Sequence, residues 1–119
     1  MKLDKYDALF SRYIRTRDNW TCQRCSKQYT QNTQGLHNSH FFGRTRKSVR
    51  FDEDNCIALC FGCHQIWDKE DHESYRAYKI KQLTRPRFDA LVIRANTPQK
   101  PDYKMIELYY KEKLNAKTN

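Results

Sequence analysis

Cys22-Gln-Arg-Cys25 and Cys60-Phe-Gly-Cys63 are two C-x2-C pairs with 34 residues between them. A two-residue gap lets both thiolates of a pair turn toward one cation, and two such knuckles complete the tetrahedral coordination of zinc. Ordinary buried or redox cysteines are the alternative, which a lone pair would have favoured more. Cys56 lies outside both knuckles and reads as a small apolar residue. A rival set, Cys22, Cys25, His37 and His40, reads C-x2-C-x11-H-x2-H, close to a zinc finger. The usual finger has a longer first gap and at least three residues between its histidines, which places both on one helix face. It would also leave Cys60 and Cys63 without a task. If the cysteines take the zinc among themselves, the histidines are free for other chemistry.

The elements that must position these residues can be read from periodicity. Residues 3 to 17 place Leu3, Tyr6, Phe10, Tyr13 and Ile14 at helical spacing, with Arg12, Arg15 and Arg17 toward another side. A turn then carries Cys22 and Cys25. "LHNSHFF" suits a strand, "GRTRKSVRFDEDN" a long charged loop, and "CIALC" a second strand. A helix is expected from the second cysteine pair to about Leu83, with a break near Asp71. The prolines at 86, 98 and 101 punctuate the rest into helices over about 87 to 95 and 102 to 115.

Length and charge narrow the function. The 119 residues suit a single domain, 1–119, and only 38% are hydrophobic, so a small, partly aromatic core needs a second source of stability. The formal charge is +9, which concentrates anionic partners near the surface, nucleic acid foremost. Residues 1 to 50 carry 11 basic and 3 acidic side chains, residues 51 to 75 carry 1 and 7, and residues 76 to 119 carry 11 and 4. Two basic arms around an acidic centre suit a nucleic-acid site in which carboxylates hold a metal. A solvated basic helix face is the plain alternative. No signal peptide or membrane span is expected, which points to a cytoplasmic protein in which cysteine pairs favour metal over disulfides.

Taken in order, "NWTCQRCSKQY", "HNSHFFGR", "VRFDEDN" and "LCFGCH" resemble an HNH endonuclease of the ββα-metal type with a four-cysteine structural zinc. The closer resemblance is to the phage recombination nuclease family known as NinG, over residues 12–83, with 84–119 as a helical C-terminal extension. The resemblance implies an α+β fold and a metal-dependent endonuclease that hydrolyses phosphodiester bonds in DNA, in phage recombination or replication within a bacterial host cell. It implies His40 as general base, Asn55 as the residue organising the loop, and His64 as a metal ligand. The base would take a proton from attacking water, and the divalent metal would polarise the phosphate. Where many members carry Asp or His before the base, this chain has Ser39, a weak ligand. His37 shares its strand face and could replace the missing ligand, while Asp68 stands four residues after His64 on one helix face.

The expected catalytic metal set is therefore His64, Asp68 and His37, holding Mg²⁺ or Mn²⁺, with Zn²⁺ or Ni²⁺ as alternatives. Structural Zn²⁺ sits on Cys22, Cys25, Cys60 and Cys63. Each residue also has a plainer reading: His40 and His37 as buried hydrogen-bonded side chains, Asp68 and Asn55 as caps, and Trp20 and Trp67 as packing around the zinc unit. Arg44, Arg46, Lys47 and Arg50 are the expected backbone contacts to DNA, with RNA left open. No membrane partner is expected, and a homodimer through the C-terminal helices is a further expectation. The alternative function is a non-catalytic zinc-stabilised nucleic-acid-binding module, an HNH fold whose metal site has decayed at Ser39.

Overall fold

The computed structural model describes residues 4–31 and 33–118, so Leu3 lies outside it. The first helix, α1 (Lys5–Arg17), starts where Asp4 accepts from the Asp7 amide and the Asp7 carboxylate reaches back to the Asp4 amide. This reciprocal cap satisfies two donors that the first turn would leave free. Its buried face is Phe10, Tyr13 and Ile14, together with Asp7. Asn19 and Trp20 then take left-handed backbone conformations, with φ of 56° and 54°, and turn the chain into the first cysteine pair. That conformation is unfavourable for a side chain as bulky as tryptophan; Trp20 is held there by burial in the core and by Arg15 lying over its ring.

Strands β1 (Leu36–His40) and β2 (Cys56–Cys60) pair antiparallel, with Leu36 opposite Cys60 and His40 opposite Cys56. The charged loop between them contains two short 3-10 turns, at Lys47–Val49 and Glu53–Asn55. β2 runs directly into α2 (Phe61–Gln65), which widens into a π-helical turn over Ile66–Glu70. The helix then breaks at Asp71, whose side chain caps α3 (His72–Leu83) by accepting from the Ser74 amide. α4 (Arg85–Ala95) opens with Pro86 in its first turn, where the missing N–H costs nothing. α5 (Tyr103–Thr118) completes the chain. Among the described residues no helix is long and apolar enough to cross a membrane.

The result is a small α+β fold with the hairpin between two apolar clusters. One gathers Leu36, Ile57, Leu59, Trp67, Tyr75, Leu83, Phe88 and Leu91 beneath α2, α3 and α4. The other joins Phe10, Tyr13 and Ile14 of α1 to Tyr110 and Leu114 of α5, with Phe51 and Cys56. Tyr110 also donates its hydroxyl to the Phe51 carbonyl.

Many cations of this basic chain are turned inward. Arg17 donates to the carbonyls of Glu53 and Cys56, each at 2.7 Å. Lys79, fully buried on α3, donates to the Asp54 carbonyl at 2.7 Å and to Gln82 Oε1. Burial brings the Lys79 amine down to about 8. Arg50 is buried against the Asp7 carboxylate, which it grips through Nε and Nη2, and Arg44 binds the same carboxylate at 2.8 Å. Burial would push the Asp7 carboxyl up, but its bond to Arg50, the Asp4 amide and both guanidinium charges outweigh this and lower it.

Because Asp7 is only 4% exposed, its removal strands a buried guanidinium. Asp7→Ala is expected to destabilise the fold by about 4 kcal/mol in urea unfolding, and Asp7→Leu combined with Arg50→Met to recover part of that loss, the cap to Asp4 and the Arg44 pair staying lost.

Candidate metal centre

The first cysteine pair sits in a turn closed on itself. The Cys22 amide donates to the Lys27 carbonyl, the Ser26 amide to the Cys22 carbonyl, and Ser26 takes a left-handed φ of 66° to complete the reversal. The Gln23 amide donates to the Ala58 carbonyl and fixes this turn to the outer edge of β2. The second pair is made by an element boundary: Cys60 ends β2, Cys63 lies in the first turn of α2, and the Cys63 amide points at the Cys60 sulfur.

The four sulfurs of Cys22, Cys25, Cys60 and Cys63 all lie within 4.8 Å of one another, and those of Cys25 and Cys60 are 3.9 Å apart. A tetrahedral zinc with Zn–S bonds of about 2.3 Å requires sulfurs about 3.8 Å apart. The donor set and spacing fit structural zinc. Burial opposes ionisation of Cys22, but the amides of Cys25, Cys60 and Arg24 outweigh it and bring the thiol down to about 7. Four thiolates around a divalent ion leave excess negative charge, and Arg24 answers it by donating Nη1 to Cys63 Sγ at 3.3 Å. Cys56 is separate, fully buried, and its thiol is pushed far up by burial.

On β1 the side chains alternate as a strand requires. His37 and Ser39 face the helical layer, whereas His40 faces α1, its ring 6.2 Å from that of Phe10. Ser39 is completely buried and its hydroxyl is bound to that of Tyr75 at 2.8 Å, while the Tyr75 ring stacks on Trp67. The position that breaks the nuclease pattern is therefore a buried tie between β1 and α3. The sequence flagged Ser39 but not its partner; the only signal was a tyrosine on an apolar helix face, whose hydroxyl must find a mate when buried.

His64 makes two contacts on opposite edges of its ring: Nδ1 meets His37 Nδ1 at 3.1 Å, and Nε2 meets Asp68 at 3.0 Å. His37 and Asp68 thus do not converge with His64 on one point. His40 hydrogen-bonds through Nε2 with the Arg50 carbonyl at 2.9 Å, and burial brings it down to about 4. Asn55 is fully buried, accepting from the Phe42 amide and donating to the carbonyls of Phe42 and Val49. It ties the loop after β1 to the start of β2. His72 lies stacked on Phe41. Of the expected DNA contacts, Arg50 is buried, Arg44 is half-buried on Asp7, Arg46 donates to Asn96, and Lys47 is exposed.

The chain matches no family model, no curated protein and no solved structure. The resemblance to HNH and NinG nucleases consequently rests on motifs alone, and the expectation of an HNH endonuclease is corrected by the metal centre. Among the described residues the side chains that converge as metal ligands are four cysteines, the pattern of a structural zinc site. The hydrolytic centre expected from His40, Asn55 and His64 with His37 and Asp68 is not assembled as a catalytic motif.

Two outcomes follow from this geometry. Cys60→Ser should lose its one equivalent of zinc and unfold, whereas Arg24→Ala should stay folded but yield zinc several-fold faster to a chromogenic chelator, read by absorbance. His40 is neutral when folded. Its ordinary value is 6.5, so on acidification from there to about 4 the unfolded chain takes a proton that the folded chain refuses, and stability falls over that window. Urea midpoints should fall between neutral pH and pH 4, and the loss should be about 3 kcal/mol smaller in His40→Asn, the remainder being proton competition for the zinc thiolates.

Proposed function

We propose that the protein is a non-catalytic, zinc-stabilised nucleic-acid-binding module, built on a hairpin-and-helix frame of HNH type. The observation that carries this reading is the loop after β1. Residues 43 to 47 rise from a base fixed by Asn55 and by the Asp7–Arg50 pair, so the loop is held firmly while its tip stays in water. Arg46 and Lys47 are exposed there, and Arg44 flanks them. Beside them runs a groove of about 740 Å³, lined by Arg46, Lys47, Ser48, Asn96 and Lys100. No carboxylate lines that groove, which suits it to a phosphate backbone. Contacts of this kind hold a nucleic acid in register without choosing its sequence.

The chain's excess of 23 basic over 14 acidic residues supports the same partner at longer range, because association is steered by the whole field. The zinc centre supplies order: it fixes the hairpin from which the loop springs. DNA is the favoured partner, with RNA as the second.

Fluorescence anisotropy with labelled DNA and RNA at a series of salt concentrations tests the reading. Affinity should fall steeply with salt, and Arg46→Glu combined with Lys47→Glu should weaken binding about tenfold or more while leaving zinc content unchanged. The nucleic acid should be recovered intact after incubation with Mg²⁺ or Mn²⁺. Salt-independent or absent binding, or metal-dependent strand scission, overturns the proposal.

A further inference from the structure

Phe61 is 62% exposed, although it sits between two zinc ligands of a hydrophobically thrifty chain. It follows Cys60 directly and opens α2, so its backbone is held by the metal centre at one end and by the helix at the other. His37 meets its ring edge-on, with centroids 5.9 Å apart and planes at 80°, and the His37 ring is itself set against His64. The ring is thus oriented but largely uncovered. Gly62 stands next to it, and a Cβ added there would meet nothing within 4 Å. Neither crowding nor a left-handed backbone requires glycine at this helical position. Around the same knuckles lie the exposed cations Arg24, on the Cys63 sulfur, and Lys27, 5.1 Å from the Tyr29 ring.

Resting on the nucleic-acid reading above, we infer that Phe61 is a stacking platform for an unpaired base, and that the strand crossing the second zinc knuckle is single-stranded. A base in a duplex has both faces covered by its neighbours and cannot lie on a side chain. An unpaired base can, and an aromatic ring accepts any of the four because each has a π face. Lys27, exposed after the first knuckle, supplies positive charge for a flanking phosphate. An oriented, uncovered ring on a strongly basic chain suits such a strand better than an apolar protein partner.

The test compares an oligodeoxythymidine with a duplex of equal length, using zinc-loaded full-length protein. Phe61→Ala should lose about tenfold in affinity for the single strand and little for the duplex, and Phe61→Tyr should restore it. Phe61→Trp adds a direct readout, since stacking on the base should quench the new indole. Single-strand affinity unchanged in Phe61→Ala, with no quenching in Phe61→Trp, overturns the inference; if Arg46→Glu with Lys47→Glu still weakens binding, the nucleic-acid reading survives. Absence of binding to both probes by the unaltered protein overturns both.

Discussion

Four sulfurs meeting at one point hold together three parts of the chain that have little else in common: the turn after α1, the last residue of β2 and the first turn of α2. A two-stranded hairpin is marginal by itself in water, and here each strand has only five residues. Binding of zinc by such a set is worth about 10–16 kcal/mol, as large as the whole stability of an ordinary domain. The two apolar clusters can then be modest, because they complete a frame whose register is set by the metal. The same frame holds the backbone at Phe61, which lies between two of the ligands.

A second constraint is the use of cations as internal struts. Arg17 and Lys79 reach from α1 and α3 to the carbonyls just ahead of and at the start of β2, where a loop would otherwise bury polar backbone without partners. Arg50 does similar work for α1 through Asp7. The acidic residues 51 to 75 are likewise partly spent on the fold: Arg87 and Arg94 on α4 pair with Asp54 and Asp52. The uneven charge that suggested two arms around an acidic metal site is thus in part an account of which elements pack together.

These struts mark the limit of what the sequence could reveal. The zinc ligands were legible because C-x2-C spacing is short and its geometry nearly forced. The hairpin and the break at Asp71 were legible because alternation and capping are local. The direction of Arg15, Arg17 and Arg50 was not, since a long cationic side chain reads alike whether it meets phosphate or a buried carbonyl. Nor was the fate of the histidines. H-x2-H with a histidine on the next helix satisfied the nuclease pattern by type, but whether such groups converge depends on ring edges, and His64 offers opposite ones to His37 and Asp68. The π turn at Ile66–Glu70 was also invisible, because it changes the helical phase that periodicity assumes to be constant.

The pairing of α1 with α5 has a consequence for the order in which the molecule assembles. Phe10 and Tyr13 pack on Tyr110, nearly the whole chain away, whereas every zinc ligand has been synthesised by Cys63. During translation the metal can close the knuckles while the apolar face of α1 still waits for its cover. An apolar face left open in this way favours aggregation of a nascent chain, and the contact that hides it spans about as much sequence as any in the fold, the kind that closes late.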